Sequence, residues 1–210
     1  MSDIQITAEN SLQEPILICF LGPDGSGKST AIEAVIEALE ARQLSVSLRH
    51  LKPTLWGKQR VAARGVVTDP HSIAPRGSFA SIAKLGAWIA ETWIDRWQAR
   101  GRRPDVEIFD RYFYDIEVDP RRYRYGGPAF APKALAPFVP RPDLVFILDA
   151  PAEIIQQRKQ EVTQAETARQ VKGYRALAER MKQAHLIDAT LHPDRVRDTI
   201  LGLIETECRR

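Results

Sequence analysis

Gly22-Pro23-Asp24-Gly25-Ser26-Gly27-Lys28-Ser29-Thr30 matches the phosphate-binding pattern G-x-x-x-x-G-K-[ST] at every fixed position. Its flanks decide the fold. Ahead of it, Ile16-Leu17-Ile18-Cys19-Phe20-Leu21 is a short continuous apolar run of the buried-strand type. Behind it, Ile32, Val35, Ile36 and Leu39 recur at i, i+3, i+4 and i+7, the stripe of an amphipathic helix. Strand, glycine loop and helix follow in the order a phosphate cradle needs. The glycines allow the backbone to curl with its N–H groups inward, the helix N-terminus adds its positive dipole end, and Lys28 brings a full charge to the β and γ phosphates. Ser29 offers a hydroxyl to Mg²⁺ and Thr30 stands beside the same phosphates. A glycine turn that only resembles the pattern is the bland alternative, and the two flanks argue against it.

Length and charge set the outer bounds. A chain of 210 residues is of the size of one α/β domain with a substantial core. With 30 basic and 27 acidic residues, for a net charge of +3, the surface is mixed, which argues against a nucleic-acid partner and makes any anion binding local. The two cysteines, Cys19 in the first strand and Cys208 near the end, form neither a disulfide framework nor a metal cluster. No apolar run approaches the ~20 residues of a membrane span and no secretory pattern opens the chain, so a cytoplasmic protein is expected. Residues 1–14 are polar and aperiodic and are expected to form a flexible leader before a single domain over residues 15–210.

Further along, Ser45 to Leu51 has partial strand alternation and is stopped by Lys52-Pro53. Arg49, His50 and Lys52 end that strand, where ligands of open parallel sheets collect, although a solvated loop accounts for them more simply. Residues 53–78 carry no sustained period and remain unassigned. From Phe79, the residues Ile82, Leu85, Ile89, Trp93 and Trp97 trace a helical face that Trp88 and Ile94 widen. Helical spacing explains this face as core or as a homodimer contact without a stacked ligand.

Val106 to Asp110 reads as the third strand, ending in a carboxylate with Arg111 next to it. An acid at the tip of a strand beside a phosphate loop is where Mg²⁺ or its water is held, so Asp110 joins Ser29 as a metal candidate; a structural Asp110–Arg111 ion pair is the other reading. The stretch from Asp119 to Pro128 interleaves Arg121, Arg122, Tyr123, Arg124 and Tyr125. Arginine forks and tyrosine rings could grip an anionic acceptor, or the arginines could fasten the loop to Asp115, Glu117 and Asp119; both readings stand. Asp143 to Asp149 gives a fourth strand, Pro151 suits the first position of the following helix, Ala184 to Asp188 gives a fifth strand, and the segment from Pro193 closes the chain as a helix.

Five strands alternating with helices, GPDGSGKST, Asp110-Arg111-Tyr112, Leu148-Asp149-Ala150-Pro151, the basic segment from Arg158, Tyr174-Arg175-Ala176-Leu177-Ala178 and Ile187-Asp188-Ala189-Thr190 together resemble the thymidylate kinase-like branch of the nucleoside monophosphate kinases. The resemblance runs from about residue 16 to 204 and is weak across 50–80 and 116–142. It implies an α/β fold: a single P-loop domain with a five-stranded, mostly parallel sheet, helices on both faces and a lid segment. It implies an ATP- and Mg²⁺-dependent kinase with a small-molecule phosphoryl acceptor, of which dTMP is one. In such a site Asp24 would face the acceptor's sugar, Arg111 would grip the acceptor phosphate, and Arg158 would swing from the lid over the transferred group. Gly25 fits that last role, because the phosphate loop then supplies no arginine of its own.

The departures fall on the acceptor side. Where the family carries Arg-Glu-Pro after the second strand, this chain has Arg49-His50-Leu51-Lys52-Pro53. Where it reads thymine with an arginine, the helix here offers Gly86, Ala87 and Trp88; the Ser and Gln positions after Asp-Arg-Tyr give way to the Asp119–Pro128 cluster. A regulatory or assembly protein that keeps the nucleotide site without small-molecule kinase activity is the reading from another class. Neither the Asn-Lys-x-Asp signature of a GTPase nor the Leu-Ser-Gly-Gly signature of a transporter ATPase occurs.

Overall fold

Every residue of Ile16–Leu21 (β1) is buried, and the neighbours of this strand explain why it is apolar throughout. β1 pairs in parallel with Val106–Asp110 (β3) on one side and Leu144–Asp149 (β4) on the other. Val46–His50 (β2) extends the sheet beyond β3, and Ala184–Asp188 (β5) beyond β4, in the order β2-β3-β1-β4-β5. All four pairings are parallel, a stricter outcome than the mostly parallel sheet expected. A central parallel strand is covered on both faces, so alternation with polar residues would bury unpaired polar groups. The computed structural model describes residues 14–50 and 77–207. The expected leader, but for its last residue, together with the Lys52-Pro53 stop, the unassigned stretch up to residue 76 and Cys208, lies outside these residues.

The side chains of β1 divide between two cores. Ile16, Ile18 and Phe20 face Ala31, Ile32, Val35 and Leu39 of Lys28–Glu40 (α1) and Val196, Ile200 and Ile204 of Pro193–Glu207 (α7). Leu17, Cys19 and Leu21 face Leu85 and Trp88 of Ser78–Gln98 (α2), Ile116 and Val118 of Asp115–Val118 (α3), and Tyr174 and Leu177 of Gln164–Arg180 (α6). The period of two along β1 thus puts helices on both faces, as the expected fold requires. Ala131–Leu135 (α4) packs near α2 and α3, and Ala152–Arg158 (α5) leads from β4 toward α6.

Local expectations shift in four places, the first being that β4 begins at Leu144 and not at Asp143, whose carboxylate accepts from the Leu17 N–H at 2.7 Å. Pro151 precedes α5 instead of opening it: its ψ of 142° is extended, and its carbonyl accepts the first helical bonds from Ile154 and Ile155 at 3.0 and 3.1 Å. β2 begins one residue late, because the backbone N–H and the hydroxyl of Ser45 both donate to Asp105 Oδ2, at 2.7 and 2.6 Å. The aromatic stripe of α2 divides: Leu85 and Trp88 are core, whereas Phe79, Ile82, Trp93, Ile94 and Trp97 stay exposed.

β1 leaves the sheet at Gly22, whose φ is +136°. A Cβ there would lie 2.8 Å from the Leu148 carbonyl oxygen of β4, a backbone atom that cannot move aside without breaking the sheet. Gly22→Ala is therefore expected to cost about 1–3 kcal/mol, read as a fall of several degrees in Tm by calorimetry; an unchanged Tm would show that the loop absorbs the side chain.

Candidate functional site

The loops after β1, β3 and β4 meet at one end of the sheet, because parallel strands all point their carboxyl ends the same way. Gly25 and Gly27 adopt φ of +84° and +92°, and α1 begins at Lys28 with no side-chain cap and no acidic residue in its first turn. Its first N–H groups are therefore left to whatever enters the loop. Ser26 is fully buried beneath the loop, while Ser29 and Thr30 are exposed on the first turn of α1. Lys28 folds back over the loop, its Nζ donating to the carbonyls of Gly22 at 2.8 Å and Pro23 at 2.7 Å. Burial, with the Arg111 charge added, pushes its pKa down to about 7.

Asp24 is the centre of charge. Its two oxygens accept hydrogen bonds from separate arginines, Oδ1 from Arg111 and Oδ2 from Arg122, so residues 87 and 98 positions away converge on one carboxylate. Burial pushes the Asp24 carboxyl up, but Arg111, a hydrogen bond shared with Glu161, Lys28 and Arg122 together hold it far below the usual range. Glu161 moves the opposite way, raised first by that bond to Asp24 and then by burial. Lys159 Nζ lies 2.6 Å from Glu161 Oε1, and Arg122 lies 3.8 Å from Oε2.

Asp110 ends β3 with its oxygens in different surroundings. His50 Nδ1 lies 3.1 Å from Oδ2, whereas Oδ1 is buried and has no hydrogen-bond partner among the described residues. The β2–β3 register sets His50 opposite Asp110 and Arg49 opposite Phe109. Arg49 turns to Glu107 at 2.9 Å and Asp95 at 3.6 Å. The other strand-end acid, Asp149, is engaged by Arg175 of α6, with bonds of 2.9 to 3.1 Å. Of the two, only Asp110 has a carboxylate oxygen without a partner among the described residues.

α5 presses against the phosphate loop. A Cβ on Gly25 would lie 2.9 Å from Lys159 Cβ and 3.1 Å from the Ile155 carbonyl, so the glycine is needed for this approach. Arg158 Nη1 donates to the Ala189 carbonyl at 3.0 Å, and a Cβ on Gly27 would lie 4.0 Å from the same nitrogen. The guanidinium expected from the lid thus stands beside the loop, anchored to the turn after β5, where Asp188 accepts bonds from the Thr190 N–H and hydroxyl at 2.9 and 2.6 Å.

The Arg121–Tyr125 cluster divides between the two readings. Arg122 enters the site, and Arg121 is exposed outside it. Tyr123 is no stacking platform: its ring meets Trp88 edge-on at 5.5 Å, its hydroxyl donates to Asp115 Oδ2 at 3.2 Å, and its carbonyl accepts from Lys84 at 2.7 Å. The acids of the segment are held in part from other elements, Glu117 by Arg180 at 2.8 Å and Asp115 by Tyr174 at 2.7 Å, while Asp119 accepts the Arg122 backbone N–H at 3.3 Å. Glu161, Asp115 and His50 are members of the site with no motif of their own. A strand register could have found His50; the other two depend on helices meeting across the sheet end.

The thymidylate kinase family model matches residues 20–200. Among curated relatives, the thymidylate kinase of Latilactobacillus sakei is 26% identical over 187 residues, covering 86% of this chain and 85% of its own. That of Xylella fastidiosa strain M12 is 29% identical over 213 residues, covering 90% and 86%. A probable thymidylate kinase of Methanothermobacter thermautotrophicus is 27% identical over 146 residues, covering 67% and 68%. With the phosphate loop, the parallel sheet and the match along most of its length, the chain belongs to the thymidylate kinase family, a family of kinase-like phosphotransferases built on a P-loop.

Proposed function

We propose that this protein transfers the γ-phosphoryl group of ATP to a small phosphorylated acceptor of the nucleoside monophosphate class, with dTMP, the acceptor implied by its relatives' names, as the first to test. The observation that carries the reading is the convergence of Arg111 and Arg122 on Asp24, one loop away from Lys28. Two guanidinium groups, each able to grip phosphate bidentately, stand where a second anion would face the first. The absence of an arginine on the α2 face at Gly86, Ala87 and Trp88 leaves base preference the open specificity of the site.

In this reading an oxygen of the acceptor phosphate attacks the γ phosphorus in line, the bond to the β-bridging oxygen breaks, and ADP leaves with its electron pair. No protein side chain forms a bond. The loop N–H groups of Gly25 and Gly27, with Ser26, Ser29 and Thr30 alongside, would cradle the donor phosphates. Lys28 would leave the Gly22 and Pro23 carbonyls for the β and γ oxygens. Arg158, close to Gly27, would cover the charge developing between donor and acceptor. Ser29 and Asp110 would hold Mg²⁺, which supplies charge neutralisation across the β and γ phosphates; the unpartnered Asp110 Oδ1 fits that role. Arg111, Arg122 and Asp24 would orient the acceptor, whereas Arg121 and Tyr123 would act only through the loop that carries Arg122.

A second copy of the chain is the proposed partner for the exposed half of α2. Trp93 Nε1 donates to the Phe138 carbonyl at 2.8 Å, joining Trp93, Ile94, Trp97 and Phe138 into one apolar patch. No helix among the described residues is long and apolar enough to cross a membrane, and a cytoplasmic setting is part of the proposal.

Three measurements check these assignments. A coupled ADP-release assay across nucleoside monophosphates and sugars should find an acceptor that raises turnover well above the water background. Lys28→Ala should abolish that turnover, and Arg158→Ala should lower kcat by about 10²-fold or more with ATP affinity little changed; no active acceptor, or full activity in Lys28→Ala, refutes the kinase reading. Because bound phosphates favour the charged amine, MgATP binding at pH 8 should take up about 0.9 of a proton, and affinity should fall about tenfold per unit as pH rises above 7. Calorimetry in buffers of different ionisation heat reads the uptake, and zero uptake would mean that Lys28 is already fully charged. In sedimentation, the wild type should run as a dimer and Trp97→Glu as a 23.7 kDa monomer; a monomeric wild type removes the homodimer.

A further inference from the structure

Arg111 occupies an unusual backbone position. Its φ is +74°, in the left-handed region that a residue with a long side chain rarely adopts, and its N–H donates to the Phe20 carbonyl at 3.0 Å across the end of β1. Such a conformation persists only where the surroundings over-determine it. One edge of the guanidinium meets Asp24, and the other faces Asp115 Oδ2 at 3.6 Å. Asp115 is completely buried. It accepts from Tyr174 Oη at 2.7 Å on one oxygen and from Tyr123 Oη at 3.2 Å on the other. The carboxylate therefore binds three elements together: the turn after β3 that carries Arg111, the loop that carries Arg122, and α6.

The α6 connection bears on the lid. α6 starts at Gln164, just past Arg158, Lys159 and Glu161, and is fastened to α3 along its length. Arg169 Nη2 donates to the Val118 carbonyl at 2.8 Å, and Arg180 pairs with Glu117 at 2.8 Å. At Gly173 the two helices approach so closely that a Cβ would lie 2.9 Å from Val118 Cγ1. Tyr174, the next residue, is delivered by this contact to Asp115.

We infer that Asp115 is a positioning residue: with Tyr174 and Tyr123 it fixes the Arg111 guanidinium toward the acceptor phosphate and, through α6, ties that arginine to the lid segment. Burial pushes the Asp115 carboxyl up and its donors offset this only in part; the two tyrosine bonds fix its position, and with it the second edge of Arg111, while Asp24 is free to exchange the arginine for an acceptor. Arg122, which Asp115 does not touch directly, bonds to Asp24 and lies 3.8 Å from Glu161.

The kinetic arm rests on Arg111 being the acceptor's arginine; the spectroscopic arm does not. Arginine-labelled full-length protein, assigned with Arg111→Lys and Arg122→Lys, gives the Nε–H signal of each residue. In Asp115→Asn and Tyr174→Phe, solvent exchange of the Arg111 signal should rise about tenfold or more while Arg122 stays protected. With dTMP, or with the acceptor found in the panel, KM for that acceptor should rise about tenfold or more, while ATP affinity changes less than twofold. Unchanged Arg111 exchange in Tyr174→Phe and in the double variant Tyr123→Phe, Tyr174→Phe overturns the inference, even if Asp115→Asn fails to fold. Equal losses of ATP and acceptor binding would also overturn it, by showing a merely structural role. Should no acceptor be turned over by the wild type, the kinase reading fails while the exchange measurement still decides the role of Asp115.

Discussion

Burial of β1 on both faces is the constraint from which the rest follows. Ile18, Cys19, Phe20 and Leu21 are all fully enclosed, and each large apolar side chain removed from water contributes on the order of 1.5–3 kcal/mol. A strand of this kind has no room for a charged group until it leaves the sheet. Gly22, pressed against the Leu148 carbonyl, is where it leaves, and two residues later the chain meets the part-buried Asp24. A cluster of enclosed and part-buried charge therefore sits at the edge of an apolar slab where the five parallel strands end.

That concentration is kept stable by mutual compensation. Lys28, Asp24, Arg111, Asp115, Arg122 and Glu161 lie close enough that each sets the ionisation of another. Burial pushes the carboxyls up and Lys28 down; Arg111 and its neighbours hold Asp24 well below the usual carboxylate range, whereas burial prevails at Lys28 and Glu161 is raised first by its bond to Asp24. In the proposed function, phosphate oxygens would take Lys28 from two carbonyls and the arginines from Asp24.

The sequence disclosed the donor half of the site because that half is local. G-x-x-x-x-G-K-[ST] needs nine consecutive residues between a strand and a helix, and both flanks carry periodicities that can be read directly. The half around Asp24 resisted for the opposite reason. Arg122, Tyr174, Asp115 and Glu161 come from a loop, two helices and the segment between α5 and α6, and neither spacing nor residue type tells which arginine of Arg121–Arg124 turns inward. Likewise the α2 stripe was legible as helical, but only packing showed that Leu85 and Trp88 enter the core while Trp93 and Trp97 do not.

The strands, the phosphate loop, the carboxylate at the end of β3 and the family were legible in the sequence alone, since each is written in consecutive residues or a short period. The tertiary structure alone decided that Asp110 has a buried oxygen without a partner among the described residues while Asp149 is taken by Arg175, and that Asp24 is shared by two arginines. It also decided that Asp115 joins α6 to Arg111. Those outcomes depend on distances across the sheet end, which are set by how the helices seat on the two cores and leave no trace in local spacing.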